Sequence, residues 1–152
     1  MPLPTKDKVL VGIQVVLLIV YIFPLGEPLG SFEILGTYRF MALAVSLLGL
    51  AVMSLALIQL NQNLTPFPTP KQKGYLVNTG LYKYIRHPVY TGILIFVWAW
   101  AIYRGSYWKL LISFILTIFF YLKSIYEEAL LSKKYSDYSQ YRHKSGRFLP
   151  KL

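Results

Sequence analysis

Apolar and polar positions alternate in blocks along this chain, not residue by residue. Four apolar runs stand out, at 9–25, 40–60, 89–103 and 110–122, the last extended by Trp108 before it and Tyr126 after it. A helix that crosses a bilayer needs roughly 20 residues, so the third and fourth runs must borrow from their flanks. Arg104 and Lys109 bracket a turn at Gly105 and Ser106. Runs three and four therefore predict a tight helical hairpin whose tip stops short of the far interface, with Lys109 snorkelling outward. The pattern as a whole predicts an all-α integral membrane bundle of about four transmembrane helices in a single domain over 1–152. Two N-terminal transmembrane helices occupy 1–62 and the candidate site occupies 63–150.

Between the runs lies one long polar connection, 61–88. Pro66, Pro68 and Pro70 keep its first part extended, and Gly74 and Gly80 punctuate the rest. A connection of this length is usually either functional or disordered, and this one leads straight into the 80–92 motif, which favours function. The C-terminal part, 127–152, spaces Tyr135, Tyr138 and Tyr141 three apart among basic residues. Such a pattern predicts an interfacial helix with its tyrosines at headgroup depth.

Composition narrows the class. Of 152 residues, 55% are hydrophobic and 14% charged, which fits a membrane protein and not a soluble one. Cysteine is absent and only His87 and His143 are histidines, so thiolate chemistry is excluded and no metal cluster is expected. The net charge is +10, but the cations flank apolar runs instead of lining one face. That places them against membrane lipids, and no nucleic acid is expected as a partner. Lys6, Lys8, Lys71, Lys73, Lys83 and Arg86, with seven more cations from Lys123 onward, outweigh Arg39, Arg104 and Lys109. The positive-inside bias then puts both termini and the 61–88 connection in the cytoplasm. No small-x-small cleavage site follows the first run at 23–27, so it reads as a retained helix. The sequon at Asn63, Leu64 and Thr65 falls on the cytoplasmic side and reads as chance.

The candidate chemistry sits at 80–92, Gly-Leu-Tyr-Lys-Tyr-Ile-Arg-His-Pro-Val-Tyr-Thr-Gly, and at Glu127 and Glu128. Ionisable groups at a membrane edge are functional candidates by default. Pro88 suits the first position of a helix, whose start leaves the Val89, Tyr90 and Thr91 amides pointing outward as an anion site. His87 just outside that start either bonds a ligand or caps the turn, and Arg86 either serves the site or anchors to a lipid phosphate. Tyr82 and Tyr90 offer flat surface and hydroxyls. Adjacent helical residues point about 100° apart, so one of the two glutamates faces the bundle and the other water. Lys123 shares a face with Glu127, in the order that stabilises a helix poorly, which favours a pocket role. A helix start for a carboxylate, aromatics for a ring and a carboxylate for an ammonium or ribose together suit an adenosyl amino acid.

These residues resemble a known family. Gly74 through Tyr82, then Arg86-His87-Pro88-Val89-Tyr90-Thr91-Gly92, the Glu127-Glu128 pair, Tyr138, Tyr141 and the ending Arg147-Phe148-Leu149-Pro150 are similar to isoprenylcysteine carboxyl methyltransferases. That group of integral-membrane methyltransferases also includes phosphatidylethanolamine N-methyltransferases. The resemblance implies a methyltransferase that uses S-adenosylmethionine and acts on a lipid-like or prenylated acceptor. It implies cofactor contacts at Tyr75, Leu76, Val77, Tyr82, His87, Pro88, Val89, Tyr90 and Glu127, with Gly80 shaping the loop. Arg86, Lys123 and Glu128 are the candidate catalytic groups. Lys123 stands where the family has an arginine, which keeps the charge and loses the bidentate fork. Phe67 falls near a family glutamine, and Ser136 replaces a glycine. A carboxylate acceptor needs no base, whereas an amine or thiol leaves His87 or Glu128 to take its proton. A nicotinamide-dependent reductase of related architecture and a non-enzymatic membrane scaffold are the competing readings.

Overall fold

A computed structural model describes residues 4–23 and 28–151. Five α-helices follow in order: α1 (Thr5–Ile22), α2 (Gly36–Leu60), α3 (Pro88–Arg104), α4 (Tyr107–Lys134) and α5 (Tyr138–Lys144). Two 3-10 turns, Asn61–Asn63 and Gly80–Lys83, frame the long connection. Among the described residues no strand forms beyond isolated bridges. The far end of the first apolar run, Pro24 and Leu25, lies outside the described residues.

Two of the helices are long and apolar enough to cross a membrane, and α3 is a shorter apolar helix. The fourth run is longer than its apolar core suggested. The helix α4 spans 28 residues and runs on past the apolar run through both glutamates to Lys134. The added turns lie at the end away from the hairpin tip, and α3 keeps 17 residues. Along α4, Leu111, Phe114, Ile118, Tyr121, Leu122 and Ile125 are exposed, while Ile112, Leu116, Phe119, Phe120, Lys123 and Glu128 are buried. The two sets alternate with the helical period, as an outward stripe facing lipid and an inward stripe facing the bundle require. Helices α1 and α2 carry similar outward apolar residues, such as Val16, Ile22, Phe40 and Ile58.

The hairpin turn forms as the sequence indicates. Gly105 adopts a left-handed conformation with φ 62° and ends α3, and the Ser106 side chain accepts the Lys109 amide to start α4. Lys109 itself does not snorkel. Its ammonium donates to the Tyr21 carbonyl at 2.6 Å, on the last turn of α1, where exposed carbonyls and the helix dipole favour a cation. At the other end of α1, Asp7 accepts from the Tyr126 hydroxyl of α4 at 3.2 Å. Helices α1 and α4 are thus antiparallel and tethered at both ends.

The most extensive packing joins α2 and α3. Gly49 and Gly92 let the two backbones touch: a Cβ on Gly92 would lie 2.5 Å from the Met53 amide nitrogen, and one on Gly49 2.6 Å from that of Phe96. Ala42, Ser46 and Ala56 continue the small, buried face of α2. Close approach through small residues is how helices associate where lipid removes the hydrophobic driving force. Arg39 near the start of α2 stacks over Tyr103 near the end of α3, so this pair is antiparallel too. The start of α1, the end of α2, the start of α3 and the end of α4 all meet at one end of the bundle.

Candidate active site

At that end, the 61–88 connection folds over the helix termini and encloses a cavity of about 510 Å³, within the range of small-molecule sites of roughly 300–1,000 Å³. Gly80 makes the fold possible. With φ 60° it sits so close to Gln59 that a Cβ would lie 2.5 Å from the amide oxygen, and that oxygen accepts the Leu81 amide at 2.8 Å. The chain then turns through Gly80–Lys83 and delivers Tyr82, Arg86 and His87 to the start of α3.

His87 occupies the N-cap of α3, but its ring does not cap the helix. Instead it bridges the two glutamates, with Nδ1 3.4 Å from Glu127 Oε2 and Nε2 3.3 Å from Glu128 Oε1. The expectation that one glutamate faces water is therefore corrected. Two side chains about 100° apart on one helix both find the interior, because the start of α3 covers one arc and the C-terminal segment the next. The ring is buried, which disfavours its charged form; contact with both carboxylates outweighs that and holds the His87 pKa above its ordinary value.

The glutamates have different surroundings. Glu127 lines the cavity. It accepts from the Tyr90 hydroxyl at 2.5 Å, and the Lys123 ammonium lies 3.9 Å away. The Tyr90 ring is sandwiched between His87 and Phe120, with centroid distances of 5.4 and 4.6 Å. Glu128 lies behind His87, outside the cavity lining, and meets Arg86 at 3.0 Å, Arg147 at 3.1 Å and Arg142 at 3.7 Å. Arg86 is no free lipid anchor. Besides Glu128 it donates to the carbonyls of Arg142 and Ser145, which ties the C-terminal segment to the start of α3. Backbone bonds add to the tie: Arg86 donates to Gly146 at 2.8 Å, His87 to Arg147 at 3.1 Å, and Gly146 to Tyr84 at 3.0 Å.

Of the residues expected around a cofactor, Tyr75, Leu76, Val77, Tyr82, His87, Val89, Tyr90 and Glu127 line the cavity, as do Arg86 and Lys123. Pro88 is buried at the first position of α3, and Gly80 acts through loop shape. The helix start offers less than expected, since the Thr91 amide donates to the His87 carbonyl at 3.0 Å. That leaves the Val89 and Tyr90 amides without a partner among the described residues. In the tail, Tyr135, Tyr138 and Tyr141 line the cavity, and Tyr141 donates to the Tyr82 carbonyl at 2.6 Å. Burial pushes the Tyr141 hydroxyl up to about 12, and burial together with the Glu128 charge raises that of Tyr138.

Three contributors escape a reading of the motif alone. Gln14 of α1 lines the cavity and accepts from the Lys123 ammonium at 2.6 Å, which also donates to the Pro66 carbonyl at 3.2 Å. Its one signal in the sequence is a lone amide inside an apolar run. Asp7, fully buried, accepts the Thr69 amide at 2.9 Å and so holds the proline-rich flap over the cavity. Asn63 turns inward: its Oδ1 accepts the Tyr75 amide at 3.0 Å, and its buried Nδ2 has no partner among the described residues. The Tyr138 hydroxyl is likewise buried without one.

The family model for phospholipid methyltransferases matches residues 37–138, from the start of α2 to the first residue of α5. A curated relative, protein-S-isoprenylcysteine O-methyltransferase of Schizosaccharomyces pombe, is 33% identical over 121 residues, covering 77% of this chain. The chain spans about half the length of that relative, 51%.

Proposed function

The chain belongs to the phospholipid methyltransferase family, and from that premise we propose that it is a membrane enzyme transferring a methyl group from S-adenosylmethionine to a lipid-like carboxylate of the isoprenylcysteine type. The observation that carries this reading is Glu127, set in the cavity wall between Tyr90, His87 and Lys123. Glu127 suits an ammonium or ribose hydroxyls. The open amides of Val89 and Tyr90 suit a carboxylate. Met53, Leu57, Leu60 and Ile93 add apolar surface to the cavity, as a lipid-like acceptor requires.

Bound there, the cofactor supplies an activated methyl on a sulfonium. The protein's part is to hold the acceptor oxygen in line with it and to exclude water, and such positioning is worth roughly 7–11 kcal/mol. With a carboxylate acceptor the opposite charges cancel as the bond forms, which a low-dielectric cavity favours, and no proton has to move. Lys123 favours an anionic acceptor and repels a protonated amine. An amine would also need a base, and His87 is committed to two carboxylates. In this reading Lys123 contacts the acceptor, while Arg86 and Glu128 hold His87 and the tail in place.

The same proposal puts four helices across the bilayer, with the site, both termini and the 61–88 connection in the cytoplasm. Clustering of the cations at the site end of the bundle supports it. Purified protein supplied with radiolabelled S-adenosylmethionine and a panel of prenylcysteine, phospholipid and thiol acceptors tests the assignment. Label in the prenylcysteine ester is expected; label confined to phospholipid amine or thiol would reassign the acceptor, and none in any would sink the reading.

A further inference from the structure

A second recess lies on the other side of Arg86 from the cavity. It is lined by Arg86, Ser139, Arg142, His143, Gly146 and Lys151, together with Ser145. Ser139, Arg142 and His143 share one face of α5, spaced three and four residues apart as helix neighbours are. Lys151 closes the far side by donating to the His143 carbonyl at 2.9 Å. No acidic side chain lines it. Among the described residues, the one carboxylate paired with its cations is Glu128, which is buried and met by Arg86, Arg147 and His87 as well as Arg142. The Arg142 side chain is 58% exposed, so its charge is available to a ligand from solvent.

Depth identifies what that ligand is. Arg142 Nε lies 3.7 Å from Glu128, which follows Ile125, the last exposed large apolar residue of α4, by three residues, or about 4.5 Å of helix rise. The recess therefore opens where the apolar surface of the bundle ends, at headgroup depth for a membrane-embedded chain. We infer that this recess binds the phosphate of an anionic phospholipid headgroup, as a site separate from the methyl-transfer cavity. The phosphate sits between Arg142 and Lys151, where guanidinium and ammonium groups make charge-assisted bonds. Because Arg86 lines both spaces and bonds the Arg142 and Ser145 carbonyls, an occupied recess holds the tail against the start of α3.

The test uses the full chain purified in a neutral detergent. Short-chain phosphatidylglycerol, short-chain phosphatidylcholine and inorganic phosphate are titrated separately while thermal unfolding is followed. Phosphatidylglycerol is expected to raise the midpoint saturably and phosphatidylcholine to leave it unchanged. The pair Arg142→Gln and Lys151→Gln is expected to weaken the apparent affinity at least tenfold. The pair Lys73→Gln and Lys133→Gln, which removes the same charge elsewhere, is expected to leave it within twofold. Equal losses in both pairs would reduce the effect to diffuse charge, and no preference between the two lipids would overturn the site. A full effect from inorganic phosphate alone would make it a free-anion site and overturn the lipid assignment. If the double variant does not fold, Lys151→Gln alone is expected to cost about threefold, and an unchanged affinity would count against the inference. None of these readouts depends on methyl transfer.

Discussion

The two antiparallel helix pairs of this bundle are built on opposite principles. Helices α2 and α3 meet backbone to backbone through Gly49 and Gly92, and among the described residues their interface leaves little that is polar. Helices α1 and α4 meet through tethers: Asp7 to Tyr126, Gln14 to Lys123, and the Tyr21 carbonyl to Lys109. Backbone contact between small residues fixes one relative position, because no side chain can adjust. Beside these tethers Tyr21 and Leu17 pack on Ile112, Leu116 and Phe120, while Gln14 and Lys123 stand in the cavity wall. The fold thus keeps its rigid half for aiming Arg86, His87 and Tyr90, and its tethered half for enclosing a ligand.

Breaking the rigid half should cost most. Gly92→Val drives a side chain into the Met53 backbone and is expected to destabilise the protein by about 3 kcal/mol, seen as a lowered unfolding midpoint or loss of a monodisperse peak. A fully stable variant would mean that α2 and α3 do not touch as described. In the tethered half the loss should fall on binding. Glu127→Ala is expected to weaken S-adenosylmethionine binding at least tenfold, about 1.4 kcal/mol, by calorimetry in detergent, with little change in stability.

Gln14→Leu removes one acceptor from the Lys123 ammonium and is expected to lower stability by about 1 kcal/mol; a larger effect on acceptor KM than on cofactor affinity would place Gln14 on the acceptor side. Gly12 provides the contrast to Gly92, since a Cβ there meets nothing within 4 Å. Gly12→Ala is expected to be neutral or to stabilise by roughly 0.5–1 kcal/mol, and a marked loss would show that α1 is packed more tightly than its tethers imply.

The smallest effect is on pH dependence. His87 holds its proton more firmly when folded than its ordinary 6.5. Its contribution to stability is therefore complete below about pH 6.5 and lost as pH rises through the higher folded value. Unfolding midpoints of the wild type should fall over that range and those of His87→Gln should not; parallel curves would remove His87 from the charged network.

What could be read without coordinates was local. The turn at Gly105, the proline start of α3 and the loop glycine at position 80 each announce themselves within a few residues, and the structure has all three. Lys123 and Glu127 share a face because four residues make one turn. Gln14 and Asp7 were invisible in their roles because their partners stand 109 and 119 residues away, and an apolar run says only that it is buried or in lipid. The inward contacts of the basic, tyrosine-rich tail stay hidden for a related reason. Its composition suits headgroups, but Arg147 finds Glu128 and Tyr141 finds Tyr82, long-range choices that composition does not encode. The shared burial of Glu127 and Glu128 was also beyond a helical wheel, which gives directions and not what covers them.

The tail's grip on Arg86 and Glu128 also sets an order of events in time. A ribosome adding about 5–20 residues per second needs about 1–4 s to pass from Glu128 to Arg147. Through that interval the long helices can enter the bilayer and pair, while Arg86, Glu128 and Tyr82 still lack the tail groups that hold them. A newborn chain is therefore a formed bundle with an unfinished pocket, and the cavity wall is complete only when residues 138–147 emerge and dock.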